Sequence, residues 1–288
     1  MVKDSQAPLP VAVYTPEPSL QHPAVMARAL GKDILAGREL AWRLFVRDLS
    51  AQYRQTVFGY VWAFLPPIAA SLTFIFLNAQ GIVNIPTQGI PYPAFAMMGT
   101  LLWQVFVDAL NSPSQALWRA KPMLAKINFP RESILLAGLY LVIFNVGIRL
   151  VLLAAVMAWW GVVPDWGVLL FPVTLAVLIG CGSVVGLLIA PLGALYGDIT
   201  KGLPIITSFW MLLTPVVYPA RSEGVAGWLA TWNPVSPIIE TARNSLTGSA
   251  FAQLPAFVIV ALVSLLLGFV GLISFRIAMP HLIARMGG

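Results

Sequence analysis

Charged side chains are scarce in this sequence. Only 10% of its 288 residues are Asp, Glu, Lys or Arg, whereas soluble globular domains average about 25%. A soluble fold of this length would have too few charges to cover its surface, which excludes that class. The apolar residues, 59% of the chain, fall instead into blocks of roughly 20, about the length at which a helix crosses a ~30 Å hydrocarbon core.

Cysteine, histidine and paired acids are also nearly missing. Cys181 is the single cysteine, so no internal disulfide can form, and its apolar neighbours favour a buried hydrophobe. His22 and His281 lie near the two ends, without a nucleophile beside them. The 11 acids are scattered. We therefore expect no catalytic residue and no metal site in this chain.

The N-terminal region lacks the apolar core of a cleavable signal peptide and is rich in proline. We predict a flexible cytoplasmic tail over residues 1–32. Alternating barrel patterns are absent as well. Because only helices and closed barrels pair all their backbone groups in lipid, the sequence predicts an all-α, polytopic membrane protein.

Residues 33–54 predict a helix that carries too many charges to span a membrane. On a helical wheel its apolar residues share one face: Trp42, Phe45, Val46, Leu49 and Tyr53. A basic stripe lies beside that face: Arg43, Arg47 and Arg54. This pattern is typical of an amphipathic helix in the membrane interface, with its apolar face in the lipid.

Six apolar segments follow, and together they make up a transmembrane domain over residues 55–288. The predicted spans are residues 57–78, 94–111, 133–160, 168–190, 203–219 and 254–276. Pro66 and Pro67 fall inside the first span and predict a kink there. Segment 220–249 is broken by glycine and proline. It predicts a re-entrant excursion from the outer face, with an ordinary external loop as the alternative.

The basic residues predict the orientation. With six spans, fourteen of the 17 Lys and Arg residues fall on one side, together with both termini. Only Arg221 and Arg243 fall on the other side, and Arg149 lies within a span. Since basic loops stay in the cytoplasm, both termini are predicted to be cytoplasmic.

The run from Arg54 to Pro66 reads RQTVFGYVWAFLP. It resembles the start of the membrane domain in ABC-2 type polysaccharide exporters, the permeases for O-antigen, capsule and teichoic acid. The resemblance extends over nearly everything after residue 33, including Asn233-Pro234 followed by Glu240 and Arg243. It implies a homodimer in the bacterial inner membrane that exports a lipid-linked polysaccharide such as the O-antigen of lipopolysaccharide.

The resemblance also implies a partner that supplies energy. In this family each permease works with a separate ATPase subunit, two copies in all, which bind ATP and Mg. The G-x-x-x-x-G-K-[ST] pattern of a phosphate-binding loop does not occur in this chain. We therefore expect no cofactor here and a transport subunit rather than an enzyme.

Loop 112–132 is the predicted contact with the ATPase. Ser114 is predicted to cap a short helix that Pro122 ends, and the resemblance places a coupling helix here. The candidate coupling residues are Trp118, Arg119, Lys121, Lys126 and Arg131. The alternative is that these basic residues anchor the loop to inner-leaflet phospholipid.

Two further sets of residues are candidates for contact with the substrate. Arg43, Arg47 and Arg54 lie at the expected depth of lipid headgroups, where guanidinium groups can pair with the pyrophosphate of a carrier lipid. Generic phospholipid contact is the alternative. Six aromatic residues are candidates for the pathway, because weak contacts with apolar sugar faces permit sliding: Trp103, Phe106, Trp210, Tyr218, Trp228 and Trp232. Helix packing is the alternative for each.

Arg149 needs a partner, because an ionisable residue inside a span is costly. We predict Glu240 as that partner and a gate that also includes Arg243. Asp108 is assigned to the inner end of the second span, at a different depth. A pair between Glu240 and Arg243, three residues apart, is the alternative.

Three other functions stay open at this point. An ABC-2 exporter of a small lipid or drug would need only a lateral cleft. A membrane-embedded polysaccharide-processing enzyme would need paired acids or a metal-binding motif, which the scattered acids do not supply. A secondary transporter would need paired repeats with broken helices, and only one broken segment is present.

Overall fold

The computed structural model describes residues 23–53, 61, 64–82, 85, 89–124, 129–219 and 224–286. Nine α-helices lie in these ranges, together with a 3-10 helix at Trp166–Leu170. The helices are α1 (Pro23–Tyr53), α2 (Leu65–Ala79), α3 (Tyr92–Leu124), α4 (Glu132–Trp159), α5 (Phe171–Leu195), α6 (Gly197–Leu213), α7 (Gly224–Trp232), α8 (Val235–Thr247) and α9 (Leu254–Met286). No strand occurs in the described ranges, so the all-α prediction is confirmed.

Four of the described helical segments are long and apolar enough to cross a membrane. They are Tyr92–Leu124, Glu132–Trp159, Trp166–Leu195 and Leu254–Pro280. The polytopic class is therefore confirmed. Helices α2 and α6, with 15 and 17 residues, reach only about 22–26 Å at 1.5 Å per residue. The predicted count of six spans is not confirmed.

Pro66 and Pro67 do not kink a helix in the described chain. Helix α2 begins at Leu65, so both prolines lie in its first turn. The N–H groups of a first turn have no acceptor inside the helix, and proline loses nothing there. The kink expected from the prolines is thus replaced by a helix start. The preceding part of the predicted span, residues 57–63, lies outside the described residues except at Val61.

Helix α3 is much longer than the predicted span 94–111. It runs unbroken to Leu124 and is about 50 Å long. The separate short helix predicted within 112–132 is wrong, because Ser114 lies buried inside α3 and does not cap a helix. Pro113 removes one backbone hydrogen bond, but the buried residues on both sides of it continue one helical stripe: Ala109, Leu110, Pro113, Ala116, Leu117 and Ala120. Continued burial of this stripe keeps the helix intact.

Helix α3 lies at the centre of the bundle and packs against α2, α4, α5, α6 and α8. Glycines let α5 approach it closely. A Cβ at Gly182 would come within 2.7 Å of the Phe106 carbonyl oxygen, and one at Gly186 would overlap the Leu110 carbonyl. Small residues at such crossings are typical of membrane helices, where backbone proximity replaces hydrophobic burial as the source of packing energy.

Helix α1 includes residues 33–53, which were predicted to lie in the membrane interface, but it also packs against the bundle. It begins at Pro23, and Ala41, Leu44 and Phe45 are buried against α4. Trp42, from the same predicted apolar face, stays 56% exposed. The apolar surface of α1 is therefore shared between the bundle and the exterior.

The two ends of the bundle differ in chemistry. We call the end with Leu124 and Glu132 the basic end and the end with Trp159 and Trp166 the aromatic end. Helices α4 and α6 run from the basic to the aromatic end, and α3, α5 and α9 run the opposite way. Helix α8 packs on the 3-10 helix and so belongs to the aromatic end.

Candidate functional site

Asn233 joins α6 to α8 at the aromatic end. Its Nδ2 donates to Thr214 Oγ1 at 2.7 Å, and its Oδ1 accepts from Trp210 Nε1 at 3.2 Å and from the Val235 backbone N–H at 3.1 Å. The residue is only 8% exposed. In the sequence the Asn-Pro pair indicates only a break. Its role emerges from partners 19 and 23 residues away, which no local signal reveals.

Arg243 holds the non-helical turn that follows α6. Its Nη2 donates to the carbonyls of Val216 at 2.5 Å and Pro215 at 3.3 Å. Its guanidinium lies 3.7 Å from the ring centroid of Phe95 on α3. At 4% exposure, this cation is stabilised by carbonyl dipoles and an aromatic face. Arg243 therefore connects α8, the turn and α3.

Gly99 makes this connection sterically feasible. A Cβ on Gly99 would overlap the Val216 carbonyl oxygen and come within 2.8 Å of the Val216 carbonyl carbon. The absence of a side chain lets the turn lie directly on α3. We call the group of Phe95, Gly99, Val216, Asn233 and Arg243 the outer hub.

Glu240 lies one turn before Arg243 on α8 but forms no ion pair within the described residues. Its Oε2 is buried without a hydrogen-bond partner. The predicted pair of Glu240 with Arg149 is wrong, and Arg243 bonds to carbonyls instead of to Glu240.

Arg149 pairs with Asp108. The distance from Arg149 Nη1 to Asp108 Oδ2 is 2.6 Å, and Asn145 Nδ2 donates to the same oxygen at 3.2 Å. Asp108 stands about 24 Å above Leu124 along α3, and Arg149 stands about 26 Å above Glu132 along α4. The two depths match because α3 is continuous. The predicted depth of Asp108 is wrong because α3 continues to Leu124, beyond the predicted end of the span at residue 111.

Three of the candidate pathway aromatics form one cluster. The ring centroid of Phe106 lies 5.2 Å from that of Trp103 and 5.2 Å from that of Trp210. The ring centroids of the two tryptophans are 6.2 Å apart. Trp103 and Phe106 are 2% and 0% exposed. They tie α3 to α6 in the interior of the chain, which corresponds to the helix-packing alternative.

The other three aromatics lie closer to the surface of the aromatic end. Trp228 and Trp232 of α7 are 62% and 74% exposed, with ring centroids 6.4 Å apart. Tyr218 donates its hydroxyl to the Leu212 carbonyl at 2.8 Å and is half-buried. Helix α6, which contacts α7, also exposes an apolar face: Ile205, Ile206, Phe209, Leu212 and Leu213.

The coupling candidates lie at the C-terminal end of α3. Trp118 is 54% exposed, and Lys121 Nζ lies 5.7 Å from its ring centroid. Arg119 donates to Gln115 Oε1 at 3.0 Å and lies 3.8 Å from Asp48 of α1. Arg131 directly precedes α4, and Lys126 lies outside the described residues. We call Trp118, Arg119 and Lys121 the α3 tip.

The predicted basic stripe of α1 is partly neutralised. Arg43 pairs with Glu39 at 2.6 Å, and Arg47 pairs with Asp48 at 2.7 Å while also donating to Met123 Sδ. The spacing of Glu39 and Arg43, four residues apart, is a signal that the sequence does contain. Arg54 lies outside the described residues.

The sequence of this chain is similar to those of known proteins over most of its length. Residues 39–247 match the model of a family described as ABC-2 type transporter. The chain is 26% identical over 214 residues to the O-antigen export system permease protein RfbA of Myxococcus xanthus, a match that covers 72% of this chain and 79% of that protein. It is 22% identical over 241 residues to the polysialic acid transport protein KpsM of Escherichia coli, with 81% and 91% covered. A Klebsiella pneumoniae RfbA is 21% identical over 209 residues, with 69% and 76% covered.

Proposed function

This chain belongs to the ABC-2 type transporter family, and we propose that it is the membrane-spanning subunit of an ATP-driven exporter of a lipid-linked polysaccharide, of O-antigen or capsule type, in the bacterial inner membrane. The observation that carries the proposal is the extent of the relatives' match. It covers 81% of this chain and 91% of a polysialic acid transport protein. The family match over residues 39–247 includes every residue of the outer hub.

The proposed complex contains two copies of this chain and two copies of an ATPase that binds ATP and Mg. The basic end faces the cytoplasm, in keeping with the excess of Lys and Arg there. The α3 tip is the proposed seat on the ATPase, because an exposed tryptophan flanked by two cations suits a protein contact. The exposed apolar face of α6 is available to the second copy or to lipid.

The mechanism that we propose uses α3 as a rigid connection. About 39 Å of unbroken helix separate Lys121 at the tip from Phe95 in the outer hub. A displacement of the tip by the ATPase therefore moves the ring that lies under Arg243. Through Arg243 and Asn233 the motion reaches α7 and its exposed tryptophans, where we place the exit of the sugar chain.

Carrier recognition is assigned to Arg43, Arg47 and Arg54. Arg43 and Glu39 are both about three-quarters exposed, so their ion pair is weak and a pyrophosphate can displace the carboxylate. Planar guanidinium groups bind phosphate bidentately, which favours arginine over lysine at this position.

The test is co-purification with an ATPase subunit, followed by ATP hydrolysis. We expect the wild-type chain to form a stable complex, and the double variant Arg119→Glu with Lys121→Glu to dissociate or uncouple it. Arg38→Glu, an exposed charge reversal on α1 outside the α3 tip, is the control and should behave as wild type. Failure of any ATPase to associate with the wild-type chain would sink the exporter proposal.

A further inference from the structure

An apolar cavity of about 200 Å³ lies among α1, α3, α4, α5 and α9 near the basic end. Its apolar walls include Ile34, Pro113, Leu135, Leu139, Leu187 and Leu272. Glu132 and Leu139 both line it, so it extends about 10 Å along α4. None of its lining residues belongs to the outer hub, the α3 tip or the basic stripe of α1.

Charged groups from three helices meet at Glu132, the charged residue among those that line the cavity. Arg276 of α9 donates from Nη2 to Asp33 Oδ2 of α1 at 2.8 Å, and its Nη1 lies 3.9 Å from Oε1 of Glu132 on α4. That Nη1 is buried and makes no hydrogen bond. One guanidinium thus faces two carboxylates beside the apolar cavity.

The shape and charge of the site together specify an amphiphile. Water is a poor occupant, because apolar cavities offer too few hydrogen bonds to hold it, whereas burial of each methylene of a hydrocarbon chain is favourable. Glu132 is the first residue of α4, so this end of the cavity lies at the depth of the inner-leaflet headgroups in the proposed orientation. A headgroup there meets one guanidinium and two carboxylates.

We propose that this cavity binds one acyl chain of a zwitterionic phospholipid with a primary ammonium, such as phosphatidylethanolamine. Its ammonium pairs with Asp33 or Glu132, and its phosphate lies beside the Arg276 side chain, which is 30% exposed. An anionic headgroup such as that of phosphatidylglycerol brings no cation to the two carboxylates and binds less well. The bound lipid joins α1, α4 and α9 as a resident part of the fold, separate from the exported substrate.

The first experiment is native mass spectrometry of the full-length chain, purified in mild detergent from bacterial membranes that contain both lipids. We expect one phospholipid per chain, enriched in phosphatidylethanolamine relative to the membrane. Ser183→Phe places a ring in the cavity and should lower retention about tenfold, because two or more methylenes lose their burial. Ala176→Phe adds the same ring seven residues earlier on α5, at an exposed position, and should retain the lipid.

The headgroup is tested separately by Arg276→Gln, which should lower retention several-fold, and by Arg276→Lys, which should restore part of it. The proposal is overturned if the wild type retains no phospholipid, or if Ser183→Phe and Ala176→Phe retain it equally. Retention of phosphatidylglycerol in preference to phosphatidylethanolamine also overturns it.

A second readout needs no variant. Phosphatidylethanolamine with a photoreactive acyl chain should cross-link wild-type protein at Leu135, Leu139 or Leu272. Cross-links confined to the exposed face of α9, at Leu262 and Leu266, would indicate annular lipid only and contradict the proposal.

Discussion

Asp108 and Arg149 form an ion pair across the α3–α4 interface, with 2.6 Å between the carboxylate and guanidinium atoms. The pair lies about 24–26 Å from the basic ends of its helices, deep within apolar segments. A lone charge is expensive at that depth, so each residue depends on the other. The pair therefore fixes the axial register of α3 against α4.

Asp108→Asn should destabilise the protein, because it leaves the buried guanidinium without a counter-charge. We expect a loss of about 2 kcal/mol in unfolding free energy, below the 3–5 kcal/mol of fully buried pairs, since the Asp108 side chain is 24% exposed. Thermal unfolding in detergent measures it. The double variant Asp108→Leu with Arg149→Met should recover most of the loss, and an Asp108→Asn protein as stable as wild type would contradict the assignment.

Asn233→Ala should loosen the outer hub. The substitution leaves Trp210 Nε1, Thr214 Oγ1 and the Val235 N–H without their shared partner, at a cost of about 1–3 kcal/mol for each buried group left unsatisfied. Asn244→Ala on the same helix removes a more exposed hydrogen bond, to the Ala250 carbonyl, and serves as the control. Equal unfolding temperatures for the two variants would argue against a central role for Asn233.

Gly99→Ala and Gly147→Ala form a matched pair with opposite expectations. A methyl group at Gly99 overlaps the Val216 carbonyl, whereas one at Gly147 of α4 meets nothing within 4 Å. We expect Gly99→Ala to destabilise the protein by at least about 1–3 kcal/mol, as in overpacked cores. Gly147→Ala should stabilise it by about 0.5–1 kcal/mol through helix propensity. Unfolding curves of both variants provide the check, and a neutral Gly99→Ala would show that the turn can move away.

Trp228→Ala and Trp232→Ala should each lower polysaccharide export about two- to tenfold without loss of the ATPase complex, since a ring contact contributes about 0.5–1.5 kcal/mol. Trp159→Ala is the control, because Trp159 is also highly exposed, at 84%, but is the last residue of α4 and not part of α7. Export is measured as surface polymer in cells that depend on this permease. Identical effects of all three substitutions would assign the α7 tryptophans to membrane anchoring.

The helical class was predictable, because it follows from the composition of long segments. The length of α3 was not predictable, since Pro113 and the polar residues around it resemble a loop when the sequence is considered without the packing partners of the helix. Burial against α5 outweighs those local signals. Because α3 is longer than predicted, the predicted partner of Arg149 is also wrong. In α1 the helical wheel places Phe45 on the apolar face but not Leu44, whose burial depends on the position of α4.

The outer hub was the least predictable part of the candidate site. From the sequence, Asn233 indicates only the interruption of a helix, and Arg243 only a charge three residues from Glu240. Their partners belong to other helices or to a turn with no sequence signature. Tertiary hydrogen bonds of this kind carry no local periodicity, so only the assembled bundle reveals them.

Asp48 is a counter-ion shared by two arginines with different proposed tasks. It lies 2.7 Å from Arg47 of the basic stripe and 3.8 Å from Arg119 of the α3 tip. In the proposed mechanism, a phosphate bound to Arg47 would leave the carboxylate paired with Arg119 alone, which would change the charge that the tip presents to the ATPase. Thermodynamic linkage would make this effect reciprocal: occupation of the proposed carrier site would change the affinity for the ATPase by the same factor by which the bound ATPase changes the affinity for the carrier.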